Sequence, residues 1–204
     1  MKEINANARL EALCDAVFAI AMTLLVIELR APDRASIHSA ADLWAVLRND
    51  APAVGAFILS FTIIFITWVN HHAVMRSVPR TSATFLIANG FLLLTIAFIP
   101  FPTALFGEFV LSDRGAPAVV LYNAVLAAQA AAWILLTRSA LRNGLARDVE
   151  AQAMLRMNHR SACGATILYS LLSIIAIWLP TMVAILTTAT WIFWLVIGLR
   201  EKHK

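Results

Sequence analysis

Long apolar runs separated by short polar segments set the pattern of the chain. A helix needs roughly 20 residues to cross a bilayer core that is about 30 Å thick. Six runs of about this length predict membrane-spanning helices, at about 9–30, 52–75, 82–106, 117–141, 161–179 and 181–199. Pro180 divides the last two, because the uncharged stretch around it is too long for one span. We therefore predict a single all-α membrane domain covering residues 1–204.

The composition agrees with a membrane protein, since 61% of the 204 residues are hydrophobic and only 14% are charged. Soluble domains are about half apolar and about a quarter charged. The net charge of +4 does not indicate nucleic acid as a partner, because no basic run is interleaved with base-stacking aromatics. The motifs GxSxG, HExxH and the P-loop do not occur in the sequence. We therefore predict neither an enzyme nor a bound cofactor.

The basic residues are distributed unevenly between the two sides of this predicted topology. Six helices place both termini on one side, and twelve Lys and Arg residues then fall on that side against four on the other. The twelve are Lys2, Arg9, Arg76, Arg80, Arg138, Arg142, Arg147, Arg156, Arg160, Arg200, Lys202 and Lys204, and the four are Arg30, Arg34, Arg48 and Arg114. Cytoplasmic loops carry the excess of positive charge. We predict cytoplasmic termini and a multi-pass protein of the cell membrane.

Polar residues collect at the cytoplasmic end of the first three predicted helices. An ionisable group at the centre of a span costs roughly 2.5–3.5 kcal/mol, and Asp15, although nearer the end, still needs partners. We expect a structural hydrogen-bond network that ties helix 1 to helices 2 and 3. Its predicted members are Arg9, Asp15, Trp68, Asn70, His71, His72 and Asn89. No metal site is predicted, because adjacent histidines point about 100° apart and a helical site requires the spacing i, i+4.

Helix 1 carries an apolar stripe that contains one hydroxyl group. At 100° per residue, Thr23, Leu24 and Ile27 lie within about 60° of Ile20, whereas Phe18 lies about 160° away. The residues alone leave two interpretations of the stripe. It either packs against another helix of the same subunit or lines a pore between subunits.

Several segments resemble the transmembrane protein 175 family. The family's hallmark at the start of helix 1 is Arg, three residues, then Phe-Ser-Asp; here Arg9 and Asp15 are in place, with Leu13-Cys14 between them. Three further segments are similar to the family: DAVFAIAMTLLVIEL at 15–29, WVNHH at 68–72 and IPFPTALFGE at 99–108. The similarity is specific over about 9–30 and 64–108 and only architectural in the C-terminal half.

The resemblance implies a potassium-permeable cation channel. Bacterial members of the family have a single six-helix repeat and form homotetramers, so it implies four copies of helix 1 around a central pore in a bacterial inner membrane. Ile20, Leu24 and Ile27 would form stacked apolar rings at the constriction, and Thr23 would add a layer of hydroxyl groups. Potassium would then be the permeant ion rather than a cofactor, and other monovalent cations could also pass.

Two other functions remain open. A secondary transporter would need polar groups at a midplane site, for which Asn123, Gln129 and Pro100 are the candidates. A non-conducting accessory protein of the membrane is the other alternative.

Overall fold

The computed structural model describes residues 7–200, with side chains described as far as Trp191. Lys2, Lys202 and Lys204, which belong to the predicted cytoplasmic set, lie outside the described residues. The described part contains eight α-helices. They are α1 (Ala8–Leu24), α2 (Ala40–Asn49), α3 (Ala51–Ser77), α4 (Ala83–Phe98), α5 (Pro100–Phe109), α6 (Gly115–Arg142), α7 (Val149–Ile175) and α8 (Pro180–Arg200).

Four segments among the described residues are long and apolar enough to cross a membrane. They are Ala8–Glu28, Ala51–Ser77, Ala83–Phe109 and Gly115–Arg142. The first four predicted spans lie on these segments, and the last two lie mainly on α7 and α8. The helix predicted at 9–30 is α-helical only to Leu24 and continues as a 3-10 helix over Leu25–Glu28, and the one predicted to end at 179 ends at Ile175. The structure thus describes a helical membrane protein with at least four helices of membrane-spanning length.

The helix predicted at about 161–179 differs most from the structure, because α7 already begins at Val149. Asp148 caps its start by accepting a hydrogen bond from the backbone N–H of Ala151 at 2.8 Å. Leu155 in the first half of α7 is completely buried, and the helix packs along α6. The basic segment before residue 161 is therefore helical, and its packing against α6 stabilises it.

The predicted span at 82–106 is divided into α4 and α5 at Ile99. Pro100 has no N–H to donate to the preceding turn, and the N–H of Ile99 instead bonds the carbonyl of Ile96 at 3.2 Å. The two helices still form one segment of membrane-spanning length, Ala83–Phe109. The proline thus interrupts the regular hydrogen bonding of the span at this point.

The short helix α2 precedes the second span. The Ser39 side chain caps it by accepting from the N–H of Asp42 at 3.1 Å. Its apolar side chains Leu43, Trp44 and Leu47 are all exposed. This arrangement is typical of a helix that lies in the interfacial region of a bilayer.

Helix α6 is the centre of the bundle and packs against α4, α5, α7 and α8. Helix α1 packs against α3 and α4, and α3 packs against α5. Three buried hydroxyl groups join this core across three helices. Ser60 of α3 lies 2.8 Å from the Tyr122 hydroxyl of α6 and 2.7 Å from the Thr103 hydroxyl of α5. Because these groups have no access to water, their hydrogen bonds fix how the three helices meet.

Gly107 marks the closest approach of α5 to α3. A Cβ atom added there would lie 2.7 Å from the Cα of Ala53, which is closer than side chains tolerate. We expect Gly107→Ala to lower the free energy of unfolding by about 1–3 kcal/mol, because the two backbones would have to separate. Thermal unfolding of the purified protein measures the change.

Gly164→Ala is the matched control for this prediction. Position 164 lies within α7, and an added Cβ there meets no atom within 4 Å. Alanine should stabilise the helix there by ~0.5–1 kcal/mol. Equal effects of the two substitutions would contradict the close contact between α3 and α5.

Candidate functional site

The two faces of α1 have opposite environments. Phe18 and Cys14 are completely buried, whereas Ile20 is 56% exposed, and Ile27, in the 3-10 helix that continues α1 over Leu25–Glu28, is 67% exposed. Leu24 is also exposed, and so is Thr23. The stripe predicted from helical periodicity is therefore largely exposed in the subunit. Of the two interpretations that the residues left open, this exposure argues against packing on another helix of the same chain.

The Thr23 hydroxyl group adds a polar layer to the exposed stripe. Its Oγ1 donates to backbone carbonyls of the preceding turn, with distances of 2.9 Å to Ile20 and 3.1 Å to Ala19. A hydroxyl group has one hydrogen and two lone pairs. Since the hydrogen is directed to the backbone, the oxygen presents only its lone pairs to the exposed side. This geometry suits contact with a cation rather than with an anion.

Asp15 connects α1 to α3. Its Oδ1 accepts a hydrogen bond from the indole N–H of Trp68 at 2.8 Å. His72 stacks on the Trp68 ring, with the ring centroids 6.0 Å apart. A hydrogen bond to a charged acceptor is about twice as strong as a neutral one. Three of the predicted network members therefore meet at one point between the two helices.

A second polar contact lies deeper, between α1, α3 and α4. The ring nitrogen Nε2 of His71 lies 2.8 Å from Oδ1 of Asn89. The amide nitrogen of Asn89 donates to Sγ of Cys14 at 3.2 Å. Phe18 packs against the His71 ring at a centroid distance of 5.4 Å. All four side chains are buried, so the contact fixes the inner face of α1 on its neighbours.

Two predicted members of the network lie elsewhere. Arg9 is exposed and forms no ion pair with Asp15 in the part of the chain that the structure describes. The reason is geometric, because six residues of helix turn the two side chains about 120° apart. Asn70 is exposed as well and lines a cavity beside Gln129 on the opposite side of α3.

Cys14 and Asn7 make contacts that sequence reasoning missed. Sulfur is a weak acceptor, and a thiol in an apolar helix reads as a small apolar side chain. The family's serine at position 14 was the available signal, because it marks a place for a hydrogen-bonding group. Asn7 is buried, and its amide donates to the carbonyl of Val78 at 2.8 Å, where α3 ends. No pattern around residue 7 points to that long-range contact.

The Cys14 contact predicts how substitutions at this position behave. Cys14→Ser should leave the thermal unfolding temperature almost unchanged, because a hydroxyl group can accept from Asn89 in the same place. Cys14→Val should destabilise the protein by about 1–3 kcal/mol, since the buried Asn89 amide then loses its acceptor. Cys163→Val, at a partly buried position, is the control and should have little effect. A serine variant as unstable as the valine variant would contradict the prediction.

These features define a class: a polytopic helical membrane protein whose first helix is tied to its own subunit on one face and free on the other. Comparison with known proteins identifies the family. The family model described as "Endosomal/lysosomal potassium channel TMEM175" matches residues 9–100. A potassium channel of Streptomyces collinus is 36% identical over 141 residues, which cover 67% of each chain. The chain therefore belongs to the TMEM175 family.

Two further matches come from Chamaesiphon minutus. A potassium channel of that organism is 38% identical over 126 residues, which cover 62% of each chain. The crystal structure of a lysosomal potassium-selective channel TMEM175 homologue from the same organism superposes with a TM-score of 0.78. That match is 31% identical and covers 94% of this chain and 97% of the other. The similarity of fold thus extends through the C-terminal helices, where the family model does not reach.

Proposed function

We propose that the protein is a potassium-permeable cation channel of the cell membrane, assembled as a homotetramer with α1 lining a central pore. Each subunit would cross the membrane six times, with both termini in the cytoplasm. The observation that carries the proposal is the exposed stripe of α1. Lipid can cover exposed aliphatic side chains, as it can on the other helices, but the exposed Thr23 hydroxyl oxygen among them favours a second protein surface.

Rotational symmetry supplies that surface. One copy of α1 cannot enclose a pathway, whereas four copies around an axis can bring Ile20, Leu24 and Ile27 into successive rings. A narrow ring of aliphatic side chains excludes water and opposes ion passage. The Thr23 oxygens would stand between the rings and offer lone pairs to a partly dehydrated cation. The relatives named potassium channels support potassium as the permeant ion.

The transporter alternative has less support from the side chains it would use. Gln129 donates to the Thr67 hydroxyl at 3.1 Å, and Thr187 donates to the Asn123 carbonyl oxygen at 2.9 Å. Both groups are buried and serve contacts between helices. Pro100 is the first residue of α5, at its junction with α4.

Current recordings test the proposal. Purified protein would be reconstituted into planar bilayers with potassium on one side and sodium on the other, and native mass spectrometry would count the subunits. We expect unitary currents from a tetramer, with a reversal potential shifted toward the potassium equilibrium potential. A folded tetramer that carries no current would favour the accessory function, and a saturable coupled flux without unitary events would favour a transporter.

A further inference from the structure

A groove of about 530 Å³ lies between the first half of α4 and the last turns of α6. It is separate from the free face of α1, and none of its lining residues belongs to the network around Asp15. One end of the groove is polar and basic, and the other is apolar. The arrangement matches a molecule with a negatively charged head and a hydrocarbon tail.

The basic end is formed by Arg138 and Arg142 of α6. The two residues are four positions apart, so their guanidinium groups share one face of the helix and repel each other. Neither pairs with a carboxylate among the residues whose side chains the structure describes, where the one ion pair joins Arg147 and Asp148. The carboxyl end of a helix favours positive charge near its last turn. An anion held between both guanidinium groups would in addition remove their mutual repulsion.

Hydroxyl groups beside the arginines leave one hydrogen-bond donor to spare. The Thr84 hydroxyl lies 3.0 Å from each of the Ser82 and Ser139 hydroxyls, and it also accepts from the Asn143 amide at 3.0 Å. Three hydroxyl hydrogens serve only two contacts between hydroxyl groups. One hydrogen, on Ser82 or Ser139, is therefore left over. Ser139 lines the groove, and when Thr84 donates to Ser139 the spare hydrogen is on Ser139, where a phosphate oxygen would accept it.

The apolar end continues along both helices from the hydroxyl cluster. Ile87 and Phe91 of α4 and Leu135 of α6 line it, and all three side chains are exposed. Ile87 and Phe91 lie one turn apart, so they form a strip along the helix axis. Free inorganic phosphate would leave these apolar side chains uncovered, whereas an acyl chain would cover them.

We propose that the groove binds an anionic glycerophospholipid. Its phosphate lies between Arg138 and Arg142, next to Ser139, and one acyl chain lies along Ile87, Phe91 and Leu135. Clustered basic side chains between membrane helices are a known way to hold anionic headgroups. On the proposed topology the site faces the cytoplasmic leaflet, but lipid binding itself does not require that the protein conducts ions.

Native mass spectrometry tests the proposal directly. Detergent-purified protein would be titrated with phosphatidylglycerol and, separately, with phosphatidylcholine of the same acyl chains. We expect retained phosphatidylglycerol on the native chain, and at least tenfold weaker retention in the double variant Arg138→Gln, Arg142→Gln, with phosphatidylcholine binding unchanged. The matched control is the double variant Arg156→Gln, Arg160→Gln, which removes an exposed arginine pair with the same spacing from α7 and should retain the lipid normally.

Two further measurements distinguish binding of a lipid from binding of other molecules in the groove. Phe91→Ala should weaken phosphatidylglycerol retention, whereas millimolar inorganic phosphate should not displace the lipid. Displacement by phosphate together with no effect of Phe91→Ala would show a plain phosphate site and overturn the proposal. Equal losses in the two arginine double variants would also overturn it, because they would reflect net charge alone. The native chain could also retain no lipid while the Arg138, Arg142 variant changes its number of subunits. That result would show that a second copy of the chain, rather than a lipid, covers the groove.

Discussion

Ile20→Ala is expected to increase the current that passes through the closed tetramer several-fold and to reduce its discrimination between potassium and sodium. Ile20 is 56% exposed in the subunit, so more than half of its surface is free to face another subunit. In the proposed assembly the four side chains face one another. Removing three carbon atoms from each widens the ring, and water and ions then cross more easily. Bilayer recordings under opposed gradients of potassium and sodium measure both effects.

Ile174→Ala is the control for this experiment. Ile174 is also exposed, at 54%, but it lies on α7, away from the proposed pore. It should alter neither conductance nor selectivity, and both variants should unfold at nearly the native temperature. Leu24→Ala should act in the same direction as Ile20→Ala. Native conductance and selectivity in both α1 variants would place the constriction elsewhere.

Breaking the hydrogen bond between Asp15 and Trp68 is expected to destabilise the protein by about 1.5 kcal/mol, the lower end of the range for a hydrogen bond to a charged group, because the contact is exposed. Trp68→Phe removes the donor, and Asp15→Leu removes the acceptor. Because either change frees α1 from α3, we expect altered current as well as lower stability. Asp15→Asn should have a smaller effect, since its amide oxygen can still accept from the indole. Thermal unfolding and bilayer recordings measure these effects.

A double-mutant cycle distinguishes loss of this hydrogen bond from independent destabilising effects of the two substitutions. If the two groups act through their hydrogen bond, Asp15→Leu adds little to Trp68→Phe, with a coupling energy on the order of 1 kcal/mol. Trp178→Phe, at an indole that is 71% exposed, controls for the loss of a tryptophan. Additive effects of the two substitutions, or native assembly and current in all variants, would contradict the anchoring role of Asp15.

The predictions that followed from helical periodicity agree best with the structure. The position of Ile20 opposite Phe18 depends only on 100° per residue, and the structure buries Phe18 and exposes Ile20. The hydrogen bond between Asp15 and Trp68 joins two residues that the sequence placed at the same membrane end. A charged residue such as Asp15 in an apolar segment requires a polar partner. The end of the next helix contains few polar side chains that could serve.

Other features depend on tertiary contacts that no local pattern encodes. The first half of α7 is too polar to be recognised as a span, and it is helical because Leu155 packs in the core. Arg9 looked like a natural partner for Asp15, but opposite charges close in sequence do not meet when the helix turns them apart. The groove at Arg138 and Arg142 needs α4 beside α6, which becomes visible only once the helices are assembled.

The pairing of α6 with α7 has a practical consequence. At 1.5 Å per residue these helices are about 42 Å and 40 Å long, which exceeds a bilayer core of about 30 Å. Their connection is held to the end of α3 by a hydrogen bond from the N–H of Arg147 to the carbonyl of Ser77 at 2.9 Å. Gly144, with φ of 57°, ends α6 just before this point. A small rigid domain inserted at Gly144 would be held in a fixed orientation by the hairpin of α6 and α7. It would serve as a fiducial mark for single-particle imaging of this small membrane protein.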